Sequence, residues 1–213
     1  MNRDFILRLS KYKRLLHKLK SLGFMKVFSN NLGDAIGVSP SLVRKDFSLI
    51  DLAGNKRGGY NVDTVIAQLN RVLGEESPHR VVIAGCGKIG RALMEYKEFA
   101  KDGIEIVAGF DIDPEGVRSA SRVPIHAISQ MVEFVRANGI KIGIVAVPDS
   151  AASQVLELML QAGIRGVLNF APVELKATPG CICIVQNVNI GLEIENLLYL
   201  VNHMESTSEI VAQ

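Results

Sequence analysis

The chain has 213 residues, 48% of them apolar and 22% charged, a composition that suits one or two folded domains and excludes a disordered or fibrous protein. Its apolar runs fall short of the roughly 20 residues that cross a bilayer, Met1-Asn2-Arg3-Asp4-Phe5 lacks the apolar core of a signal peptide, and three cysteines make no disulfide framework; a cytoplasmic protein without a membrane partner is expected. The net charge of +2 is unevenly held: residues 1–60 carry twelve Lys/Arg against four Asp/Glu and the other 153 carry twelve against eighteen, so a basic head suited to a polyanion precedes an acidic body.

Phe5, Leu9, Tyr12, Leu16 and Leu19 recur at steps of three and four, predicting an amphipathic first helix that Gly23 stops. A short apolar piece, Met25 to Phe28, precedes a second helix that opens at Ser29-Asn30 and carries Leu32, Ala35 and Ile36. Gly37-Val38 turns the chain. Ser39-Pro40 then reads as N-cap and first-turn proline of a third helix, from Pro40 to about Leu49. The glycine-rich stretch from Leu52 to Tyr60 resembles a hairpin, and Val65, Ile66, Leu69, Val72 and Leu73 line one more helix closed by Gly74. Helix, turn, capped helix and basic hairpin predict a winged helix-turn-helix, a first domain over residues 1–76. Its third helix would enter the major groove of double-stranded DNA with Ser39, Ser41, Arg44 and Lys45 nearest the bases. Lys56 and Arg57 at the hairpin tip suit phosphates or the minor groove.

Glu75-Glu76-Ser77-Pro78 marks a boundary, after which apolar strands alternate with helices. Strands are predicted at Arg80–Ala84, Ile104–Phe110, Ile142–Val147 and Gly166–Asn169, with a fifth at Cys181–Val185; helices fall at 88–100, 129–138 and 150–162. That alternation predicts a Rossmann-type, doubly wound parallel sheet over residues 77–190. A last helix from Gly191 to about Ser206 is apolar on more than one face, so residues 191–213 are expected to meet a second copy of the chain in a homodimer.

Gly85-Cys86-Gly87-Lys88-Ile89-Gly90 follows a β-branched strand and opens a helix, the setting that a dinucleotide-binding loop requires. Gly85 permits the tight turn, Gly87 lets backbone approach the pyrophosphate, and Gly90 packs helix against strand. Asp111 follows Gly90 by 21 residues, near the spacing of about 20 expected for the acid that binds the adenosine ribose. A carboxylate there favours NAD(H) over NADP(H). Cys86 at a helix start could be an activated thiol, but no second cysteine neighbours it and packing is the better reading. Cys181 and Cys183 are expected to fill core, not to hold a metal.

In order, these pieces resemble the Rex family of redox-sensing transcriptional repressors along essentially the whole chain. Val43-Arg44-Lys45-Asp46-Phe47-Ser48 is similar to its recognition-helix signature, and Gly59-Tyr60-Asn61-Val62 to the segment after its wing. The stretch from Ala162 to Val173 closely resembles its strand and loop, and Gln186-Asn187-Val188-Asn189 its later loop. The resemblance implies that Asn169, Phe170, Ala171 and Pro172, with Val147-Pro148, lie near the nicotinamide, and that the last helix is exchanged between subunits. It implies operator binding with NAD+ and release by NADH, with Arg14 and Tyr96 linking cofactor state to the head. Three departures stand out: Asn189 where the family usually has an acid, which leaves Arg14 only a hydrogen-bonding partner there; Leu49-Ile50-Asp51 where it has an aromatic pair and a glycine; and Arg57 displaced to lie directly before Gly58-Gly59.

Two rival functions use the same sheet. An NAD-dependent dehydrogenase needs a proton donor or acceptor beside the nicotinamide; the 169–173 loop offers neither His nor Lys, and His126 is read as an exposed loop residue. A coenzyme-A-binding module leaves the capped basic helices unexplained. Neither a catalytic residue nor a metal site is expected.

Overall fold

The structure, a computed structural model, describes residues 2–52, 58–74, 78–117, 122–178 and 180–211, with side chains as far as Met204. The chain forms two compact units, residues 1–79 and 80–213.

In the first unit, α1 (Arg3–Ser21) begins where the Asn2 side chain accepts the Asp4 N–H, and buries Phe5, Leu9, Tyr12 and Leu16 as one stripe. It packs on α4 (Val62–Leu73), whose Val62, Val65, Ile66 and Leu69 complete that core and whose N-cap is Asn61. Between them lie β1 (Lys26–Val27), α2 (Ser29–Ile36), α3 (Pro40–Leu49) and β2 (Tyr60–Asn61). α2 and α3 pack tightly because residue 33 is glycine: a Cβ there would sit 2.5 Å from the Val38 carbonyl oxygen. The chain leaving the expected hairpin pairs antiparallel with β1, Val27 opposite Tyr60. The hairpin tip, with Lys56 and Arg57, lies outside the described residues.

The second unit is a six-stranded sheet of β3 (His79–Ala84), β4 (Ile104–Asp111), β5 (Ile125–Ala127), β6 (Ile142–Val145), β7 (Gly166–Asn169) and β8 (Ile184–Asn187), in the order β5-β4-β3-β6-β7-β8. The ladders β3–β6, β4–β5, β6–β7 and β7–β8 are all parallel. The helices are α5 (Lys88–Met94), α6 (Glu98–Lys101), α7 (Met131–Asn138), α8 (Asp149–Ala162) and α9 (Ile190–Val211). One apolar cluster, around Val82, Phe110, Met131, Val145 and Met159, covers one face of the sheet; a second, around Ile83, Cys86, Met94 and Ile106, covers the other.

Four expectations are corrected. The helix expected over 88–100 is two, α5 and α6, broken at 95–97. Met94 and Phe99 are five positions apart, about 140° around a continuous helix, and the break lets both reach the same cluster. The strand expected at 181–185 is β8, at 184–187, because its register pairs Ile184 with Gly166; Cys181 before it is exposed, not core. β5 was not expected at all. Its His126 is no loop residue: the ring is half-buried between Phe110 and Phe134.

A DNA-reading helix and a dinucleotide cradle

α3 presents two chemically distinct faces. Val43, Asp46 and Phe47, at the i, i+3, i+4 spacing, are buried; Ser39, Ser41, Arg44, Lys45 and Ser48 are exposed. Ser39 caps the helix by accepting the Leu42 N–H at 3.3 Å, and its hydroxyl lies 2.9 Å from that of Ser41. The Arg44 guanidinium donates to Ser29 Oγ at 2.9 Å, a contact not apparent from the sequence, where Ser29 stands out only as a helix start. Inside, Phe47 stacks edge-on between Tyr12 and Tyr60. The Asp46 carboxylate accepts from Arg8 and from Tyr12. Its hydrogen bond raises the Arg8 guanidinium above its ordinary value, while burial, and then the Asp46 charge, push the Tyr12 hydroxyl up.

In the second unit the carboxyl ends of the parallel strands bring the other predicted residues to one edge. Gly85 follows β3, Asp111 ends β4, Val147-Pro148 follow β6, Asn169–Pro172 end and follow β7, and Gln186–Asn189 end and follow β8. Backbone bonds knit these loops: Gly85 N to the Phe110 carbonyl, Ala146 N to that of Ala84, Phe170 N to that of Val145 and Val188 N to that of Asn169, each 2.8 Å. The strand order reverses between β3 and β6, the place where open parallel sheets bind ligands.

The glycine loop requires its glycines. Gly85 has φ +91°, and a Cβ there would meet the Ala146 carbonyl oxygen at 2.4 Å; on Gly90 a Cβ would lie 1.9 Å from the Gly85 oxygen. Gly87 has nothing within 4 Å on its Cβ side, so backbone there faces open space. Lys88 and Ile89 are exposed beside it. Asp111 accepts the Cys86 N–H at 2.7 Å through one oxygen and the Asp113 N–H at 3.1 Å through the other. Ile112, next in the chain, is 89% exposed.

Cys86 is fully buried, and burial, reinforced by the Asp111 charge, pushes its thiol up to about 11. A raised value keeps the thiol neutral at neutral pH, the reverse of an activated cysteine. Iodoacetamide at neutral pH is expected to label exposed Cys181 and spare Cys86 in the folded protein; mass-spectrometric detection of fast Cys86 labelling would contradict this. No group of three metal-ligating residues occurs among the described residues.

The 170–175 loop is shaped from within. Asn169 is 1% exposed; its amide donates to the Val173 carbonyl and to Asn187 Oδ1, and its oxygen accepts the Ala171 N–H. Asn187 in turn bonds Leu175 N and O. The Asn169 side chain therefore faces the loop, leaving half-buried Phe170 and the exposed Pro172 ring as the surfaces this segment can offer.

Comparison with known proteins finds matches in both units. Residues 3–48 match a family profile described as "Putative DNA-binding protein N-terminus", and residues 76–173 one described as "CoA binding domain". The chain is 35% identical over 198 residues to the "Redox-sensing transcriptional repressor Rex" of Streptococcus pyogenes serotype M5 (strain Manfredo), covering 92% of each chain. It belongs to the Rex family.

Solved Rex structures align over its whole length. RSP, a Rex-family repressor, in complex with β-NAD+ and operator DNA superposes with a TM-score of 0.87 at 27% identity, over 100% of this chain and 98% of that one. RSP with β-NADH gives 0.80 at 28% identity, over 99% and 98%. These Rex relatives are repressors, not enzymes, and the dehydrogenase alternative gains no support.

Two of the departures from the Rex pattern acquire physical reasons. Asp51, where the family has glycine, adopts φ +57°, the left-handed region that glycine enters freely and aspartate tolerates. Ile50 is buried in the head core. Asn189 precedes α9 and its side-chain oxygen accepts the Leu192 N–H at 3.1 Å, so it caps the helix as an aspartate would. Arg14 and Tyr96 are both exposed, one in each unit.

Proposed function

We propose that this Rex protein represses transcription by binding double-stranded operator DNA in its apo or NAD+ form, and that NADH releases it. The observation that carries this reading is the joining, in one chain, of a capped basic helix with a glycine-loop cradle, at the identity just given to repressors named as redox-sensing. In this reading α3 lies in the major groove with Ser39, Ser41, Arg44 and Lys45 toward the DNA, and Lys56 and Arg57 reach it from the wing. NAD lies along the strand ends. Residues 85–90 hold its pyrophosphate, Asp111 its adenosine ribose, and Val147, Pro148 and the 169–172 segment flank the nicotinamide; the open backbone at Gly87 and the acid at Asp111 fit that ligand. When bound, the nicotinamide supplies a ring whose charge depends on its oxidation state. Coenzyme A shares the adenosine diphosphate, but Asp111 disfavours its phosphorylated ribose.

The head acts over residues 1–76, the sensor over 77–190, and residues 191–213 form the helix exchanged in a homodimer. Arg14, Tyr96 and Asn189 couple cofactor state to the head, and the protein works in the cytoplasm. The described residues include no helix long and apolar enough to cross a membrane.

Selection from a random duplex pool tests the reading: the purified protein enriches a shared site without NADH and none with it. Arg44→Ala should abolish that enrichment and leave NADH affinity intact, since one lost bidentate contact costs about 1–3 kcal/mol in each half-site. Retention of operator by the variant would remove α3 from the interface. Asp111→Ala should weaken NADH binding about tenfold or more, as expected for hydrogen bonds to a charged group, and narrow the preference over NADPH. Calorimetry showing both affinities unchanged would take Asp111 out of the cradle.

A further inference from the structure

The head contains a charge cluster, with its carboxylate buried and its guanidinium partly exposed, that operator reading does not use directly. Asp46 stands on α3 directly after Arg44 and Lys45, yet its side chain is 1% exposed. Arg8 Nε donates to one carboxylate oxygen at 2.6 Å and Arg8 Nη2 to the other at 2.8 Å, while the Tyr12 hydroxyl donates at 3.1 Å. The remainder of the buried face of α3 is Val43 and Phe47. Apolar packing is non-directional and lets a helix turn slightly about its axis. A two-point guanidinium–carboxylate pair does not, because both N–H bonds must stay aligned with a planar acceptor. Any rotation of α3 carries Arg44 and Lys45 through the same angle.

Stability alone gives a weak reason for this arrangement. Apolar residues of similar volume often replace a buried ion pair without loss of folding, and a carboxylate beneath a DNA-binding helix opposes the phosphates. We propose that Asp46 is a positioning residue for operator reading, and that the Arg8–Asp46–Tyr12 clasp fixes the rotation of α3 on α1 and so the aim of Arg44 and Lys45 at the base edges. This rests on the DNA-reading role of α3 given above. Base discrimination depends on the clasp, whereas the attraction of the basic head to phosphates does not.

The test compares a duplex enriched by the parent protein with a scrambled duplex of equal length, at one salt concentration. The full-length double variant Arg8→Met with Asp46→Leu is expected to fold, to bind NADH as the parent does, and to bind the scrambled duplex as the parent does. Its preference for the enriched duplex should fall about tenfold or more, the size of a misaligned bidentate contact. Arg8→Lys keeps the charge but not the fork and should fall between the two. A folded double variant with the parent's preference overturns the proposal. If the double variant does not fold, Arg8→Lys decides: an unchanged preference overturns the proposal and a reduced one supports it. A parent that prefers no duplex would instead sink the DNA-reading assignment, a result distinct from failure of the clasp.

Discussion

NADH added to the protein on operator DNA is expected to release it, and saturating NAD+ to leave it bound. A ligand moves a two-state equilibrium only by its differential affinity for the two states. Taking a dimer from mostly bound to mostly released needs about 5 kcal/mol, or roughly 2–3 kcal/mol for each of two cofactors, which is on the order of a hundredfold preference of NADH for the released form. The two cofactors share their adenosine half, so the discrimination must arise at the nicotinamide. In the proposed cradle the ring lies beside Phe170 and Pro172, whose apolar surface suits the neutral reduced ring better than the cationic oxidised one. In the coupling proposed above, an asparagine at position 189 supplies a hydrogen bond but no charge. Asn189→Asp, which preserves the α9 cap, is therefore expected to steepen the response. Fluorescence anisotropy at fixed salt measures both effects, since phosphate contacts make every affinity salt-dependent. Equal operator affinity under the two cofactors would leave a DNA-binding protein with no redox sense.

Truncation before Ile190 is expected to abolish the dimer. Along α9, Ile190, Leu192, Ile194, Leu197, Leu198, Tyr199, Leu200, Val201 and Met204 are all exposed in the single chain. Ile190, Ile194, Leu197, Val201 and Met204 follow one face at steps of three and four, and Leu192, Tyr199 and Leu200 lie off it. A helix apolar on several faces requires cover on several sides, more than one chain's own surface supplies. Without it the shortened chain should be monomeric or aggregated by light scattering. Operator affinity should drop about a hundredfold or more, because the second half-site is no longer engaged at high effective concentration. A monodisperse dimer of the truncated chain that still binds operator would move the interface elsewhere.

How much of this was legible in the residues depended on whether a pattern was local. Phe5, Leu9, Tyr12 and Leu16 announce α1 by spacing alone, and all four are buried. The strand ending at Ala84, the glycine loop and Asp111 were readable because each required residue type stands in one short segment. β5 was not: it is three residues centred on a histidine, extended because it pairs with β4 and not through its own alternation. The break at 95–97 answers to the sheet beneath it. Asp46 looked like part of a DNA-facing signature, and its inward turn depends on Arg8 and Tyr12, 38 and 34 positions away. Ser29 escaped for the same reason, being 15 positions from Arg44.

The two backbone N–H groups on Asp111 have a consequence for signalling. With the Cys86 and Asp113 N–H groups on its oxygens, the carboxylate is held in place by its own loops, and in the cradle proposed above little chain ordering accompanies binding of the adenosine end. In that reading oxidised and reduced cofactor share one anchor and exclude one another from it. When their sum saturates that anchor, occupancy by either is governed by the quotient of their concentrations and is insensitive to the total pool. A cell could change its nicotinamide content severalfold without disturbing the output, provided the balance between the two forms held.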